Sequence, residues 1–95
     1  KMRPVHPREI LREESLLLLG MSVNALAHGL HVPSTRLHEI VKERRSITAD
    51  TASRLARYFS GDAQSWMNLQ TGFDLRLVDD EKGVSIEREV DPRVA

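Results

Sequence analysis

The sequence contains no cysteine, so neither disulfide bonds nor thiolate zinc sites can hold its fold together. It also lacks an apolar run near the ~18 residues that a membrane-spanning helix needs. The short run SLLLLG from Ser15 to Gly20 follows acidic residues rather than a basic leader, which is not the pattern of a signal peptide. These absences, with a length of 95 residues, are typical of a single cytoplasmic domain.

Motifs that carry catalysis or hold a metal are missing as well. No Ser/His/Asp order, Gly-rich phosphate loop or HExxH motif is present, so we predict that the protein is not an enzyme. His28 and His31 have the spacing to share a helix face, but no third ligand follows at helical spacing. We interpret these histidines as ordinary surface residues, and we predict neither a metal nor a cofactor.

The sequence also lacks net charge, because 14 basic and 14 acidic residues balance. DNA-binding domains are often basic overall, so this balance by itself counts against binding to DNA. The charges are unevenly distributed, however. Residues 21–60 carry six basic and three acidic side chains, whereas residues 61–95 carry four and eight. The middle of the chain therefore suits phosphates, and the acidic end suits solvent or a basic protein partner.

Capping residues and apolar spacing predict five helices. Their expected starting residues, in chain order, are Pro7, Ser22, Pro33, Thr48 and Asp62. Proline suits the first helical turn, where its missing N–H costs nothing, and Ser, Thr and Asp are favoured N-caps. We expect the first helix to reach about residue 15, the apolar run at residues 16–19 to pack under the next helices, and Gly20 to give the chain a left-handed exit.

The most informative stretch runs from Ser22 to Arg45 and reads as two short helices joined by a tight turn. In the second helix, Leu37, Ile40 and Val41 form an apolar stripe. The residues that face away, with Arg36 at the edge, are Ser34, Thr35, His38, Glu39 and Lys42. A helix-turn-helix needs such an amphipathic helix, with short polar side chains in its first turn, to enter the major groove of DNA.

The predicted fifth helix combines the only tryptophan with other large apolar residues. Trp66, Leu69 and Phe73 recur at helical spacing. A core this small does not easily bury all of them, so we expect part of this face to form a dimer interface.

From Val78 onward the pattern changes. The segment DDEKG reads as a charged turn, and apolar residues alternate from Val84 to Val90, which indicates a short strand. Because a lone strand is unstable in water, the alternatives are pairing with a partner or disorder. The sequence thus predicts a helix-turn-helix and dimerisation domain at residues 1–77 and an acidic C-terminal tail at residues 78–95.

Three segments resemble the HigA-type antitoxins, or addiction module antidotes, of the XRE (lambda-repressor-like) helix-turn-helix superfamily: HPREILREE, LGMSVNALAHGLHVPSTRLHEIVKERRSITADTASRLARYF and SWMNLQTGFDL. The W-x-N-L-Q pattern in the last segment is similar to this family rather than to XRE proteins in general. The resemblance covers Pro4 to Leu77. It implies an all-α, five-helix fold and a homodimer that represses its own operon at an inverted repeat in double-stranded DNA. It also implies neutralisation of a HigB-type (RelE-like) toxin that cleaves mRNA.

The resemblance further implies which residues meet DNA. The base-reading residues would be Ser34, Thr35 and Glu39, flanked by Arg36, His38 and Lys42. The residues expected against phosphates are Ser22, Asn24, Arg44 and Arg45. The residues expected at the dimer interface are Trp66, Met67, Leu69, Gln70, Phe73 and Leu77.

Two positions depart from the family pattern, because relatives usually have glycine where His31 and Glu43 stand. A left-handed backbone at either position costs a non-glycine residue about 1 kcal/mol. Glu43 also brings an anion near the phosphates. Three functions remain open on the sequence: an antitoxin that binds operator and toxin, a stand-alone XRE transcriptional repressor without a toxin partner, and a protein-interaction module on a helix-turn-helix scaffold.

Overall fold

The computed structural model describes residues 5–17 and 19–93, and within these ranges it is all-helical. The elements are α1 (Pro7–Ile10), which continues as a π-helix (Leu11–Leu17), α2 (Val23–Leu30), α3 (Ser34–Val41), α4 (Ala49–Tyr58) and α5 (Ala63–Glu89). The five α-helices confirm the predicted all-α, lambda-repressor-like architecture. None of the described helices is both long enough and apolar enough to cross a membrane.

Three helices begin at the N-caps that the sequence predicts. The side-chain oxygen of Ser22 accepts a hydrogen bond from the backbone N–H of Ala25 at 3.0 Å. Thr48 caps α4 and Asp62 caps α5 in the same way, at 3.3 and 3.2 Å. Each bond satisfies a backbone donor that the first helical turn leaves free. Helix boundaries of this kind are local, which is why the sequence predicts them.

The first helix runs further than predicted: it continues as a π-helix to Leu17, whereas the sequence predicts an end near residue 15. Leu16 packs against the core, as expected. The expectation was wrong for Leu17 and Leu19, which are 68% and 59% exposed. A helix buries only one face, so consecutive leucines cannot all reach the core. Leu18 lies outside the described residues, and Gly20 has the predicted left-handed backbone, with φ of 64°.

The core lies between the first four helices and is closed by α5. Its fully buried large apolar side chains are Leu11, Leu26, Leu37, Ile40 and Leu55. Trp66 and Met67 of α5 pack against this cluster and are partly buried. Because Leu37 and Ile40 anchor the inner face of α3, the opposite face of that helix points away from the protein.

Helix α5 corrects the prediction for the C-terminal residues. It runs without a break from Ala63 to Glu89, so the segment expected to be strand-like or disordered is helical, and the division at residues 77/78 falls inside a helix. The turn prediction gave too much weight to Gly83, whose cost of about 1 kcal/mol does not end a helix that is already formed. An ion pair between Arg76 and Asp80, at 3.5 Å and i,i+4 spacing, supports the helix across this boundary.

Candidate nucleic-acid interface

The surface of α3 carries five of the ten residues that the sequence predicts to meet DNA, and the other five lie just after it or at the start of α2. Leu37 and Ile40 are 1% and 0% exposed, which fixes the rotation of the helix about its axis. The predicted residues on the surface are Ser22, Asn24, Ser34, Thr35, His38, Lys42, Arg44 and Arg45, with Arg36 and Glu39 half-buried beside them. The structure therefore leaves these residues wholly or partly exposed, and their contacts with DNA remain a prediction.

A left-handed residue forms the turn between α2 and α3. His31 has φ of 58° and ψ of 45°, and its N–H and that of Val32 donate to the last turn of α2. Val32 is 9% exposed and anchors the turn in the core. Glu43, just after α3, is also left-handed, with φ of 59°. His31 and Glu43 thus both adopt the backbone that glycine favours, at a cost of about 1 kcal/mol each for an L-residue.

Glu43 does not bring a free carboxylate to the surface beside α3. Its Oε2 lies 2.6 Å from Nε of Arg8 in an ion pair, and both side chains are partly buried. The Nε atom meets the carboxylate without hydrogen-bond geometry, so the attraction is mainly one of charge. Arg8 therefore offsets the negative charge that Glu43 adds near the predicted phosphate contacts.

Two further contacts join predicted DNA-binding residues to one another. Nε2 of His38 lies 3.0 Å from Oδ1 of Asn24, which links α3 to the first turn of α2. Arg45 pairs with Glu39, with 2.9 Å between Nη2 and Oε1. Glu39 can therefore face outward on α3 with its charge balanced by Arg45.

A network that the sequence did not predict lies at the edge of α3. Oδ2 of Asp50 accepts a hydrogen bond from Nε of Arg54 at 2.9 Å and another from Nη1 of Arg36 at 3.3 Å. Arg54 also donates from Nη1 to the backbone oxygen of Leu30 at 3.0 Å. The hydrogen bond from Arg54, helped by the charges of both arginines and opposed by desolvation, lowers the pKa of Asp50. The i,i+4 spacing of Asp50 and Arg54 is the sequence signal for part of this network.

The residues predicted at the dimer interface do not share one environment. Trp66, Met67, Leu69 and Phe73 are partly buried, Leu77 is exposed, and Gln70 is 3% exposed. Oε1 of Gln70 accepts from the backbone N–H of Ile47 at 3.0 Å, and its Nε2 donates to Asp74 at 2.9 Å. The amide of Gln70 is thus engaged inside the chain. The role of all six residues in dimerisation stays a prediction.

The described ranges, residues 5–17 and 19–93, contain no cluster of metal-ligand type. Within them, no three His, Cys, Asp or Glu residues come together as a set that could hold a metal ion. His28 and His31 stack with 6.4 Å between ring centroids, which is a contact between two rings.

Two short helices joined by a left-handed turn, packed in a five-helix core, define a lambda-repressor-like helix-turn-helix domain. No protein-family model matches the chain. The chain is 57% identical over 82 residues to virulence-associated protein I of Dichelobacter nodosus. This match covers 86% of this chain and 76% of that protein.

Two solved structures are similar over nearly the whole chain. An addiction module antidote protein of the HigA family from Coxiella burnetii has a TM-score of 0.88 and 47% identity, and the match covers 97% of this chain and 100% of that one. The Pseudomonas aeruginosa antitoxin HigA, solved with the higBA promoter, has a TM-score of 0.89 and 46% identity, with coverage of 97% and 100%. The chain belongs to the HigA family of antitoxins.

Proposed function

We propose that the protein is a HigA-type antitoxin. It binds operator DNA as a homodimer, represses its own operon, and neutralises a RelE-like toxin that cleaves mRNA. The observation that carries the DNA-binding part is the exposed polar face of α3, held outward by Leu37 and Ile40 in a helix-turn-helix. The promoter-bound HigA, 46% identical over its full length, supports the same use of this surface.

In this proposal, α3 lies in the major groove and its first turn faces the bases. Ser34, Thr35 and Glu39 read base edges, where hydroxyls pair with several partners and a carboxylate accepts from cytosine. Arg44 and Arg45 contact phosphates beyond the recognition helix. The first turn of α2, at Ser22 and Asn24, lies against the backbone on the other side, where free backbone N–H groups favour anions. His38 and Lys42 flank the base-reading residues, and the guanidinium of Arg36 beside them suits either a guanine or a phosphate.

Dimerisation supplies the second reading helix. Two copies related by a two-fold axis place their recognition helices about 34 Å apart, which matches successive major grooves of an inverted repeat. The partly buried face of α5 around Trp66 and Phe73 supports this association, because it carries large apolar side chains that the core of one chain only partly covers.

The toxin side of the proposal is supported by charge. An enzyme that cleaves mRNA needs a cationic surface to hold the phosphate backbone. Residues 61–95 carry eight acidic and four basic side chains, so this part of the chain suits such a partner and not DNA. A stand-alone repressor would share the DNA-binding part and lack the toxin.

The DNA-binding part is tested by gel shift on the chain's own upstream DNA. Arg36→Ala and Lys42→Ala are expected to weaken operator binding by about tenfold each, and wild-type binding should fall steeply with salt. Lys82→Ala, which removes the same charge from the acidic half of α5, is the control and should bind like wild type. If both α3 variants bind the operator as tightly as wild type, the assignment of α3 is wrong.

The toxin part is tested by co-expression with the product of the neighbouring gene. The antitoxin proposal predicts that the two proteins co-purify and that the chain rescues cells from growth arrest by that product. A chain that represses its promoter but neither binds nor rescues is a stand-alone repressor.

A further inference from the structure

One carboxylate oxygen connects three helices at the edge of the reading surface. Oδ2 of Asp50, in the first turn of α4, accepts from Arg54 at 2.9 Å and from Arg36 of α3 at 3.3 Å. Arg54 donates in turn to the backbone oxygen of Leu30 at 3.0 Å, at the end of α2. The positive end of the α4 dipole, at the start of that helix, stabilises the negative charge of Asp50.

The network leaves Arg36 partly available. Asp50 engages Nη1 of Arg36, whose side chain is 30% exposed, and the other N–H groups of the guanidinium lie outside this contact. A guanidinium presents its donors in a planar fork that matches O6 and N7 of guanine. A carboxylate that binds one nitrogen restricts the rotation of the guanidinium. Less conformational entropy is therefore lost when the guanidinium binds a base.

We propose that Asp50 is a positioning residue that holds Arg36 in the orientation in which it reads a guanine of the operator, and that Arg54 fixes Asp50 in turn. The inference rests on the proposed DNA-binding function. It adds a residue outside the recognition helix to the determinants of sequence specificity.

Charge gives this role a signature that a purely structural role lacks. Asp50 is an exposed anion next to a surface that meets phosphates. Replacing it with a neutral residue therefore strengthens binding to DNA of any sequence, because repulsion between the carboxylate and phosphate is removed. The same replacement weakens the preference for the operator, because Arg36 is no longer held. A residue that only stabilised the fold would weaken both kinds of binding together.

The experiment compares affinity for the operator with affinity for a scrambled duplex of the same length and composition. For Asp50→Asn, the ratio of the two affinities is expected to fall roughly tenfold, the size of effect that follows from weakening one base contact. Affinity for the scrambled duplex should rise. Asp79→Asn on α5 removes the same charge far along the chain, and it should leave the ratio as in wild type.

A double-mutant cycle tests whether Asp50 acts through Arg36. In an Arg36→Ala background, Asp50→Asn should cause no further fall in the ratio. Asp50→Glu keeps the charge and moves the carboxylate by one methylene group, so it should lower the ratio without raising affinity for the scrambled duplex. This second variant also decides the matter if Asp50→Asn proves unfolded by its thermal transition.

The outcomes separate the inference from the function on which it rests. A wild-type protein that does not prefer the operator overturns the proposed function and the inference with it. A wild-type preference that Asp50→Asn and Asp50→Glu retain in full overturns the inference alone. The inference is also overturned if Asp50→Asn lowers the ratio equally with and without Arg36, since Asp50 then acts through another residue.

Discussion

Glu43 and Arg8 form an ion pair, with 2.6 Å between Oε2 and Nε, that ties the residue after the recognition helix back to α1. Glu43 occupies a left-handed backbone position, with φ of 59°, that disfavours any residue with a Cβ atom. A partly exposed ion pair contributes about 0–1 kcal/mol, which is similar to that backbone cost. The ion pair with Arg8 is therefore large enough to offset much of the backbone strain at Glu43.

The substitution Glu43→Gly tests this balance. It relieves the left-handed strain and removes the ion pair, so the free energy of unfolding should change by less than about 0.5 kcal/mol. Glu43→Ala removes the pair and keeps the strain, so it should destabilise the protein by about 1 kcal/mol. Urea unfolding at fixed protein concentration measures both. A glycine variant less stable than the alanine variant would show that strain is not the main cost at this position.

His31 carries the same backbone strain, and its side chain stacks on the ring of His28 instead of pairing with an arginine as Glu43 does, so its replacement should behave differently. We expect His31→Gly to raise the free energy of unfolding by about 0.5–1 kcal/mol, because glycine adopts φ of 58° without a Cβ clash. His28→Gly is the matched control, since it removes the same side chain inside α2 and should destabilise the protein by about 0.3–0.5 kcal/mol, the difference in helix propensity between histidine and glycine. Equal effects of the two changes would contradict the left-handed geometry at His31.

The buried ring of His6 predicts a dependence of stability on pH. Its Nδ1 accepts from the backbone N–H of Arg8 at 3.0 Å, which requires an unprotonated nitrogen. Burial is the main reason that the pKa of His6 is lowered from 6.5, and Arg8 lowers it further, while nearby carboxylates of Glu43, Asp74 and Glu9 oppose the shift.

The sign follows from proton binding. Because the pKa of His6 is lower in the folded protein, the unfolded chain binds more protons between that pKa and 6.5. The contribution of His6 to stability is therefore complete above pH 6.5 and is lost as the pH falls from 6.5 through the folded pKa. His6→Asn keeps a capping acceptor that does not titrate in this range. Urea unfolding gives the free energy of unfolding near neutral and at mildly acidic pH. This free energy should fall less between the two pH values in His6→Asn than in wild type. An equal fall in both proteins would rule out His6 as a cause.

The buried amide of Gln70 should matter for the stability of one chain. Gln70→Leu leaves the backbone N–H of Ile47 without its acceptor, at a cost of about 1–3 kcal/mol. Gln64→Leu on the same helix changes an exposed glutamine and should alter stability by less than about 0.5 kcal/mol. Chemical denaturation gives the free energies, and hydrogen exchange at Ile47 should be faster in the Gln70 variant alone. Unchanged exchange at Ile47 would place the role of Gln70 elsewhere.

Gly83→Ala distinguishes a helical from a strand-like C-terminal segment. An added Cβ lies 3.0 Å from Oδ1 of Asp79, an exposed side chain that can move aside. Within a helix, alanine in place of glycine should stabilise residues 79–88 by about 0.5–1 kcal/mol. Circular dichroism at 222 nm and amide exchange measure this gain. Gly61→Ala, between α4 and α5, should leave the helical signal unchanged, and a Gly83 variant without any gain would favour the strand.

The parts of the fold that the sequence predicts are those decided by neighbouring residues. Ser22, Thr48 and Asp62 cap helices because their own side chains reach N–H groups two or three residues away. The end of α5 was not predicted, because Gly83 and the alternating apolar residues are local signals that oppose helix. Residues 78–89 are helical because they extend a helix that already begins at Ala63. Adding residues to an existing helix costs far less free energy than nucleating a new one.

The candidate site divides in the same way. Helical periodicity alone predicts the outward face of α3, since Leu37 and Ile40 determine which residues point away. The pairs Arg8–Glu43 and Arg36–Asp50 join residues far apart in the chain, so they depend on how the helices pack. Gln70 shares the spacing of the dimer-face residues, and spacing does not reveal that its amide turns inward to Ile47.

The ion pairs around α3 also bear on how quickly the protein finds its target. Arg8, Arg36 and Arg45 each hold a carboxylate of the same chain, so the domain approaches a nucleic acid with these three cations already engaged. Contact with a random sequence must exchange these internal partners for phosphates, with little net gain. We therefore expect short residence times at most sites along a genome. Long residence times should occur only where contacts with bases add binding energy that phosphate contacts alone do not supply.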